Sequence, residues 1–483
     1  MRRTIPPVDL TFLLIETPNS PKHVGAALVF DLPPKAGADA VRRIVRHYRA
    51  ATPIAPFTCV PDMLARTGPA WREVDHIDMH YHVQHLVLPV GSSYEDYLHL
   101  VEDLHESVLD RNRPLFRVWL IEGLPGHRFG MYLKVHHAII DGMSAMMRIN
   151  ASMSTKAGGA LQPPFYAVEL TRQAPVVTAG ALKRLAAFNA TARRQTVALK
   201  DLSMGVLRKG IGRLFSRESR GSLPFTAPDS VMNLPTRTPR TFATLTLPLA
   251  EMKSVGQAFD ATINDVAATI VDAGIHAYLK QIDHPVDRRL VAMCPMSLRA
   301  SDDKRATTQA TVICAPLGEP GARIDDRIAQ VAGSIRSGKD EVAAMGKDAA
   351  IMYAISAFGL GEAAEVSRLG RVAGHLANLV LSNVPGSREP LYLDGAALTG
   401  VFPISALGAG IGLNVTLVSH AGTMGFGFLG NGVALPDLPL MAKCTGEAFE
   451  RLKKAAARRS AVTARKARSK APASRAARKR ASA

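Results

Sequence analysis

Short apolar runs and helix-spaced apolar positions alternate along most of the chain. Runs rich in β-branched and aromatic residues are typical of buried strands, and they occur at residues 22–30, 131–135, 241–247, 289–294, 377–381 and 413–419. Apolar residues at intervals of three and four predict amphipathic helices, which we place at residues 37–50, 94–109, 249–258, 264–280 and 325–339. This mixture predicts an α/β fold, and 483 residues suffice for two lobes that each have a core.

Prolines interrupt this pattern between residues 155 and 235, which we interpret as the connection between the lobes. Within it, residues 204–217 have apolar positions at helical spacing with four basic residues between them. Such a basic amphipathic helix can rest on an anionic bilayer, or it can pack across the lobes with a solvated basic face. The predicted organisation is a first lobe at 1–155, a linker at 156–235, a second lobe at 236–450 and a tail at 451–483.

Most of the net charge of +18 lies in this tail. Residues 451–483 contain 13 Lys or Arg and no Asp or Glu, which leaves +5 for the rest of the chain. The segment has too little apolar surface to hold a fold, so we expect it to be a disordered basic tail. Its charge suits anionic lipid head groups or a nucleic-acid backbone. Because no aromatic residues are interleaved for base stacking, it predicts no specific nucleic-acid binding.

The cysteines and the apolar runs indicate the compartment. Cys59, Cys294, Cys314 and Cys444 are widely separated and form no CxxC pair, which argues against a zinc site and fits a reducing cytoplasm. The first residues contain no apolar stretch of signal-peptide length, and no run of about 18 apolar residues could cross a bilayer. We expect a cytoplasmic protein that associates peripherally with the inner face of the membrane or with lipid inclusions.

The strand at 131–135 leads into a motif of the form HHxxxDG, made by His136, His137, Asp141 and Gly142. Neighbouring strand residues point to opposite faces, so one imidazole should face a cavity while the other packs into the scaffold. A neutral imidazole at a strand end suits a general base, because its pKa lies near the working pH. We expect Gly142 to take a left-handed backbone and Asp141 to fix the loop by pairing with an arginine. The alternative is a pair of core histidines beside an ordinary Asp-Gly turn.

Two other patterns were weighed as cofactor sites. His80 and His82 would lie on one side of a strand, but no third ligand of convincing spacing is near, and we predict no metal. Residues 408–412 are Gly-rich but lead into a strand, whereas a dinucleotide loop lies between a strand and a helix. We therefore predict no bound cofactor. For His23, at the start of a strand, we favour a structural or gating role.

Further motifs extend the pattern along the chain. In order they are His23-Val24-Gly25, Tyr81-His82-Val83, Leu109-Asp110-Arg111, Arg113-Pro114-Leu115-Phe116, Asn264-Asp265, Pro295-Met296-Ser297-Leu298-Arg299 and Ser382-Asn383-Val384-Pro385-Gly386. Together with HHxxxDG, this series resembles the bacterial wax ester synthase/diacylglycerol acyltransferase family, within the CoA-dependent acyltransferase superfamily. The resemblance covers most of residues 8–450. The sequence departs from the family pattern at residues 53–59, at Phe116 (usually Trp in the family), at residues 308–311 and at Ser419-His420. These departures bear on the acceptor preference and not on the reaction class.

The resemblance implies two chloramphenicol-acetyltransferase-like lobes, each a mixed sheet with helices, with a channel between them. It implies transfer of a fatty acyl group from acyl-CoA, a co-substrate, to diacylglycerol or a long-chain alcohol, with His137 as the general base. Asn264 and Asp265 would help shape the site, and Ser382 and Asn383 would make polar contacts there or form a structural turn. No elbow-type Ser or Cys nucleophile is visible, so direct transfer is expected. An anionic membrane or lipid-droplet surface is the further expected partner.

Two other hypotheses stay open at this point. A condensation-type acyltransferase would use another thioester donor or an amine acceptor, but this chain carries no carrier or adenylation domain. A non-catalytic protein would bind lipid surfaces or nucleic acid through its basic segments. An inactive relative would usually have lost the second histidine of the motif, which is present as His137.

Overall fold

The computed structural model of the chain describes residues 2–66, 68–170, 226–236, 238–297, 310–345, 350, 353, 375–408 and 410–470. Within these ranges the strands form two six-stranded sheets and one three-stranded sheet. The predicted basic helix at 204–217 lies outside the described residues, as do Leu298, Arg299 and residues 308 and 309 of the quoted segments.

The bounds of the described elements are as follows. The strands are β1 (Arg2–Thr4), β2 (His23–Asp31), β3 (Cys59–Asp62), β4 (Ala70–Glu73), β5 (Val83–Val87), β6 (Phe116–Leu124), β7 (Arg128–His136), β8 (Arg240–Pro248), β9 (Val291–Ser297), β10 (Ala310–Pro316), β11 (Leu379–Val384), β12 (Tyr392–Leu393), β13 (Ala396–Ile404), β14 (Leu413–His420) and β15 (Thr423–Asn431). The helices are α1 (Pro7–Ile15), α2 (Ala40–Ala50), α3 (Met79–His82), α4 (Tyr94–Glu106), α5 (Gly142–Ala151), α6 (Leu249–Phe259), α7 (Ile263–Gln281), α8 (Ile324–Met345) and α9 (Leu438–Lys470). None of these helices is long and apolar enough to span a membrane.

The first sheet has the strand order β12-β13-β2-β7-β6-β5. β5 runs parallel to β6, whereas the other neighbouring strands are antiparallel. Leu133 and Val135 of β7 pack into a core with α2, and Tyr132 packs into a second core with α4. Because both faces of the sheet are covered, its strands read as continuous apolar runs.

The second sheet has the order β10-β9-β11-β14-β15-β8, with β11 parallel to both β9 and β14. Leu379, Leu381 and Val415 on one face share a core with α7, α8 and α9. Val380 and Thr416, which alternate with them, face a cavity between the lobes. The period of two in a strand thus divides this sheet into a core face and a cavity face.

The chain returns to the first lobe near its end. β12 and β13 join the first sheet although they lie within residues 236–450, the predicted second lobe. β13 pairs with β2 from Ala397, opposite Asp31, to Ile404, opposite Gly25. The predicted boundary is therefore wrong for β12 and β13, because an apolar pattern predicts a strand but not the sheet that the strand joins.

The last helix corrects the predicted tail. α9 continues to Lys470, so residues 451–470 are helical rather than disordered. Leu452, Ala455 and Ala456 are buried against the second lobe at helical spacing, and Ala, Lys and Arg all favour helix. The segment was predicted to be disordered because it is mostly basic and its apolar stripe consists of only a few, mostly small side chains.

Candidate active site

The two histidines of the motif lie where β7 ends. His136 is the last residue of the strand and is fully buried, whereas His137 is half-buried and lines a cavity. The imidazoles therefore face opposite sides of the sheet, as strand geometry requires. The ring of Phe12, from α1, stacks on the His137 ring with centroids 4.3 Å apart and an interplanar angle of 18°.

The cavity beside His137 has a volume of about 400 Å³ and is bounded by both lobes. Strands β2 and β7 and helix α5 supply its first-lobe wall, and strands β9, β11 and β14 supply its second-lobe wall. Its apolar residues include Val24, Leu133, Val135, Met143, Met146, Ile149, Phe165, Met296, Val380, Val384 and Val418. An apolar wall with few polar groups is the usual lining of a site for a small apolar ligand.

The environment of His137 keeps its ring neutral. Burial lowers the pKa of His137, against the opposing effects of a hydrogen bond to its own backbone and of the nearby Asp141 carboxylate. Its main-chain N–H donates to the carbonyl of Lys22 at 2.9 Å, which holds the start of the loop. At neutral pH the imidazole is therefore unprotonated, which is the state that accepts a proton from a substrate.

His136 is held by contacts on both ring nitrogens. The main-chain N–H of Ala138 donates to its Nδ1 at 3.1 Å, so a ring proton is assigned to Nε2. That nitrogen lies 3.3 Å from Oε1 of Glu16, at ion-pair distance but outside hydrogen-bond geometry. His136 is therefore part of the scaffold. The neighbouring residue in the sheet, His23, is buried with its Nε2 2.6 Å from the carbonyl oxygen of His105.

Glu16 links this scaffold to the loop that carries His137. Its Oε1 accepts the main-chain N–H of Lys22 at 2.9 Å, and its Oε2 accepts Nη2 of Arg111 at 3.0 Å. Burial alone would raise the pKa of Glu16, but His136, Lys22 and Arg111 together lower it to about 2. The ionised carboxylate thus fixes Lys22, whose carbonyl in turn binds the N–H of His137.

Sequence reasoning did not single out Glu16 as a functional residue. Glu16 is the C-cap of α1, where the helix dipole disfavours a negative charge that has no partner. A carboxylate at the C-terminal end of a predicted helix is the sequence feature that could have indicated a positively charged partner for Glu16. Arg111 belongs to one of the quoted motifs, but its pairing with Glu16 joins residues 95 positions apart and becomes visible only in the fold.

Asp141 and Gly142 form the start of α5. Oδ1 of Asp141 accepts the main-chain N–H of Ser144 at 2.7 Å, so this carboxylate is the N-cap that fixes the loop. Its predicted pairing with an arginine stays a prediction. Gly142 lacks the predicted left-handed backbone, because the helix begins at this residue. It lines the cavity, and a Cβ at this position would lie 3.6 Å from Val384.

The predicted residues of the second lobe fall into two groups. Ser382 and Asn383 line the cavity at the end of β11. Nδ2 of Asn383 donates to Oδ1 of Asn264 at 2.5 Å, which joins this segment to the start of α7. Asp265 is buried and does not line the cavity; its Oδ2 accepts the main-chain N–H and the hydroxyl of Thr262 at 2.8 and 2.7 Å. It forms a capping box with Thr262 at the start of α7, and its predicted part in substrate binding stays a prediction.

His82, considered above as a metal ligand, is buried in the first lobe. Its Nδ1 lies 2.7 Å from the carbonyl oxygen of Phe116, and its ring stacks on that of Phe116. Burial lowers the pKa of His82 to about 4. The tyrosine-histidine motif and the phenylalanine that replaces the family's usual tryptophan thus meet in one core.

Comparison with known proteins gives the family. The wax ester synthase/diacylglycerol acyltransferase catalytic domain matches residues 5–267, and the WS/DGAT C-terminal domain matches residues 308–453. The chain belongs to this family. A putative diacylglycerol O-acyltransferase of Mycobacterium tuberculosis is 31% identical over 93% of this chain and 97% of its own length. The O-acyltransferase WSD of Acinetobacter baylyi is 30% identical over 90% of this chain and 94% of its own length.

Solved structures agree with this membership. The wax ester synthase/diacylglycerol acyltransferase of Marinobacter aquaeolei VT8 superposes with a TM-score of 0.76 at 26% identity, over 94% of this chain and all of that one. The first condensation domain of the calcium-dependent antibiotic synthetase has a TM-score of 0.55 at 17% identity, over 94% of this chain and 97% of its own, which shows a shared fold alone. The family, the fold class and the kind of enzyme predicted from the motifs, an O-acyltransferase, are confirmed.

Proposed function

We propose that this member of the family transfers a fatty acyl group from acyl-CoA to diacylglycerol, to a long-chain alcohol, or to both. The observation that carries the proposal is the neutral, half-buried imidazole of His137 in the wall of an apolar cavity between two lobes. Relatives named for diacylglycerol and for wax ester synthesis support both kinds of acceptor.

In the proposed reaction His137 removes the proton from the acceptor hydroxyl while the oxygen attacks the thioester carbonyl carbon. The C–O bond of the new ester forms, the C–S bond breaks, and the CoA thiolate takes the proton back from His137. The enzyme ends in its starting protonation state, so no further co-reactant is needed. The neutral resting state of the imidazole is the state from which this cycle begins.

Direct transfer, without an acyl-enzyme intermediate, is the expected route. Burial raises the pKa of Cys294 to about 12 and that of Cys314 to about 11, so neither thiol supplies a thiolate near neutral pH. One histidine suffices for both proton transfers. This favours a ternary complex in which the two substrates meet in the channel.

Because the proposed substrates are apolar, the enzyme is expected to act at a lipid surface, either the inner face of the membrane or lipid inclusions. Helix α9 supports this association, because Arg451, Lys454, Arg458 and Arg459 are exposed along its side. Basic side chains near an anionic surface each add to the attraction. Acyl-CoA, the acyl acceptor and an anionic lipid surface are therefore the proposed partners.

Purified full-length protein with labelled palmitoyl-CoA and a competing mixture of hexadecanol, dipalmitoylglycerol and hexadecylamine tests the function. Labelled wax ester or triacylglycerol is the expected product, because the cavity is apolar and acyl-CoA is a sufficient donor. Absence of both esters in a folded preparation would contradict the proposal. A predominant amide product would favour the condensation-type alternative.

A further inference from the structure

A second concavity lies on the second lobe, away from the acyl-transfer channel. It has a volume of about 300 Å³, and Arg323, Arg327, Arg451 and Arg458 line it together with Asp325. Arg451 and Arg458 belong to α9, Asp325 and Arg327 belong to the first turn of α8, and Arg323 directly precedes it; both helices pack on the core face of the second sheet. The channel uses the opposite face of that sheet. The arginine pocket, defined by these four arginines, is therefore a separate site.

The four arginines differ in how their charges are compensated. Arg327 is buried and fixed by an ion pair with Asp272 and by donation from its Nη2 to the carbonyl of Glu319 at 2.8 Å. Arg323 is exposed and pairs with Asp325 through two contacts, of 3.3 and 3.2 Å.

Arg451 and Arg458 have no such partner. Both are exposed, and within the described residues no carboxylate lies at ion-pair distance from either guanidinium group. They are seven positions apart on α9 and so share one face of the helix, two turns apart. The pocket therefore presents two guanidinium groups that form no ion pair with a described carboxylate, although Arg458 lies near enough to Asp325 to lower the pKa of that carboxyl.

Two other cations on α9, Lys453 and Arg459, have partners within the protein. Lys453 lies 2.5 Å from a carboxylate oxygen of Glu251 and 3.0 Å from one of Glu450. The guanidinium of Arg459 lies over the ring of Phe259, 5.3 Å from its centroid. Arg451 and Arg458 differ from these two residues because they line the arginine pocket and have no ion-pair partner among the described residues.

The chemistry of the pocket suits a phosphate group. Guanidinium groups bind phosphate through paired N–H donors in a planar fork. The first turn of α8 already carries Asp325 and Asp326, so the attraction for an anion comes from the arginines rather than from the end of the helix. Asp325 is shared, because Arg458 as well as Arg323 lowers its pKa. The remaining positive charge fits a singly charged phosphodiester.

We propose that the arginine pocket binds the phosphate head group of an anionic membrane phospholipid through Arg451 and Arg458. This contact would fix one orientation of the enzyme on the bilayer. The proposal rests on the surface association proposed above and is independent of the chemistry at His137. A membrane is favoured over a nucleic acid because residues 451–483 contain no aromatic side chain on which bases could stack.

The test measures binding of the full-length protein to vesicles of phosphatidylcholine with and without phosphatidylglycerol, at fixed ionic strength. The double variant Arg451→Gln/Arg458→Gln should bind phosphatidylglycerol vesicles about 30-fold more weakly than the wild type, the effect of two lost contacts with phosphate. Two matched pairs remove the same charge elsewhere: Lys454→Gln/Arg459→Gln on the same helix and Arg42→Gln/Arg46→Gln on α2. Each of these two double variants should bind phosphatidylglycerol vesicles no more than about threefold more weakly than the wild type.

Several results would overturn the proposal. Equal losses in the two α9 pairs would indicate a diffuse basic helix instead of a site. If the wild type bound equally well to vesicles without phosphatidylglycerol, the ligand would not be an anionic lipid. Binding of inorganic phosphate or of a single-stranded RNA as tight as that of the vesicles would assign the pocket to that ligand. Turnover of a short-chain acyl-CoA with a water-soluble alcohol should be unchanged in the double variant. If the wild type itself showed no such turnover, the result would count against the proposed catalysis and not against the arginine pocket.

Discussion

The two faces of strand β7 give neighbouring residues opposite tasks. On one face Leu133 and Val135 lead to His137 and line the cavity. On the other face Lys134 and His136 are buried and engaged by polar partners. Two residues of the same type, adjacent in sequence, thus become a cavity-facing imidazole, the proposed general base, and a scaffold residue.

The difference shows how a strand end can prepare a catalytic group. Burying a polar side chain costs free energy unless it has partners, and the scaffold face supplies them to Nζ of Lys134 and to Nδ1 of His136. The cavity face differs: within the described residues, no other side chain forms a hydrogen bond with the His137 ring, which is positioned by Phe12 and by its main-chain N–H. The scaffold keeps the backbone in place while the imidazole stays available.

Replacing each histidine separately is the sharpest test of this comparison. His137→Ala should lower kcat/KM about 1,000-fold, because it removes the general base, while the free energy of unfolding changes by about 1 kcal/mol or less. His136→Ala should act mainly on stability, since it leaves the Glu16 carboxylate without one of its buried partners. Thiol release from acyl-CoA and thermal unfolding measure the two effects. Near-normal turnover by His137→Ala would refute the assignment.

Lys134, on the scaffold face, should make stability depend on alkaline pH. Its Nζ donates to the carbonyls of Leu104 and Ser107, and burial, aided by Arg117 and Arg240, lowers its pKa to about 7. An unfolded lysine stays protonated up to about pH 10.4. Between these values the unfolded state binds more protons, so the free energy of unfolding should rise with pH, by roughly 5 kcal/mol at most.

Lys134→Met should remove most of that rise, because methionine carries no proton to lose. Chemical denaturation at a series of pH values between 7 and 10 measures it. Lys253→Met, which replaces an exposed lysine of α6, should keep the wild-type dependence. Parallel curves for the wild type and Lys134→Met would show that the buried amine does not titrate in this window.

Glu16 should make a smaller contribution, with the opposite pH signature. Its pKa is lowered from 4.5 to about 2, so it adds stability above pH 4.5 that is lost as the pH falls toward 2. Glu16→Gln should cost about 2 kcal/mol at pH 7, since a buried charged group loses its partner. It should also lower kcat several-fold with little change in KM, because the Lys22–His137 contact loosens.

The stability curves of the wild type and Glu16→Gln should approach each other below pH 4.5 and come together near pH 2, where the folded carboxylate loses its charge. Glu95→Gln, on the exposed side of α4, is the matched control and should leave both kcat and the acid limb unchanged. A constant offset between the Glu16→Gln and wild-type curves down to pH 2 would mean that the carboxylate charge does not matter.

The sequence predicts local features of this arrangement better than long-range ones. The run before His136 predicts β7, its period of two places the histidines on opposite faces, and Thr262 to Asp265 opens α7 at the expected position. The link from Glu16 to Arg111 and the pairing of β13 with β2 depend on contacts between distant segments, which no local pattern records. The tail helix was missed because its anchoring stripe is made largely of alanine.

The smallest expected effect concerns the ring that supports His137 on the cavity face. Phe12→Leu keeps an apolar side chain but removes the flat face that stacks on the imidazole, a contact worth about 1 kcal/mol. We expect kcat to fall about fivefold, because the imidazole gains rotational freedom. The acid and alkaline pH dependences of the free energy of unfolding should stay as in the wild type, because they arise from Glu16 and Lys134 on the other face. Phe259→Leu, on α6 of the second lobe, controls for the loss of an aromatic ring. A shift of either pH limb in Phe12→Leu would show that the two faces of β7 are coupled rather than separate.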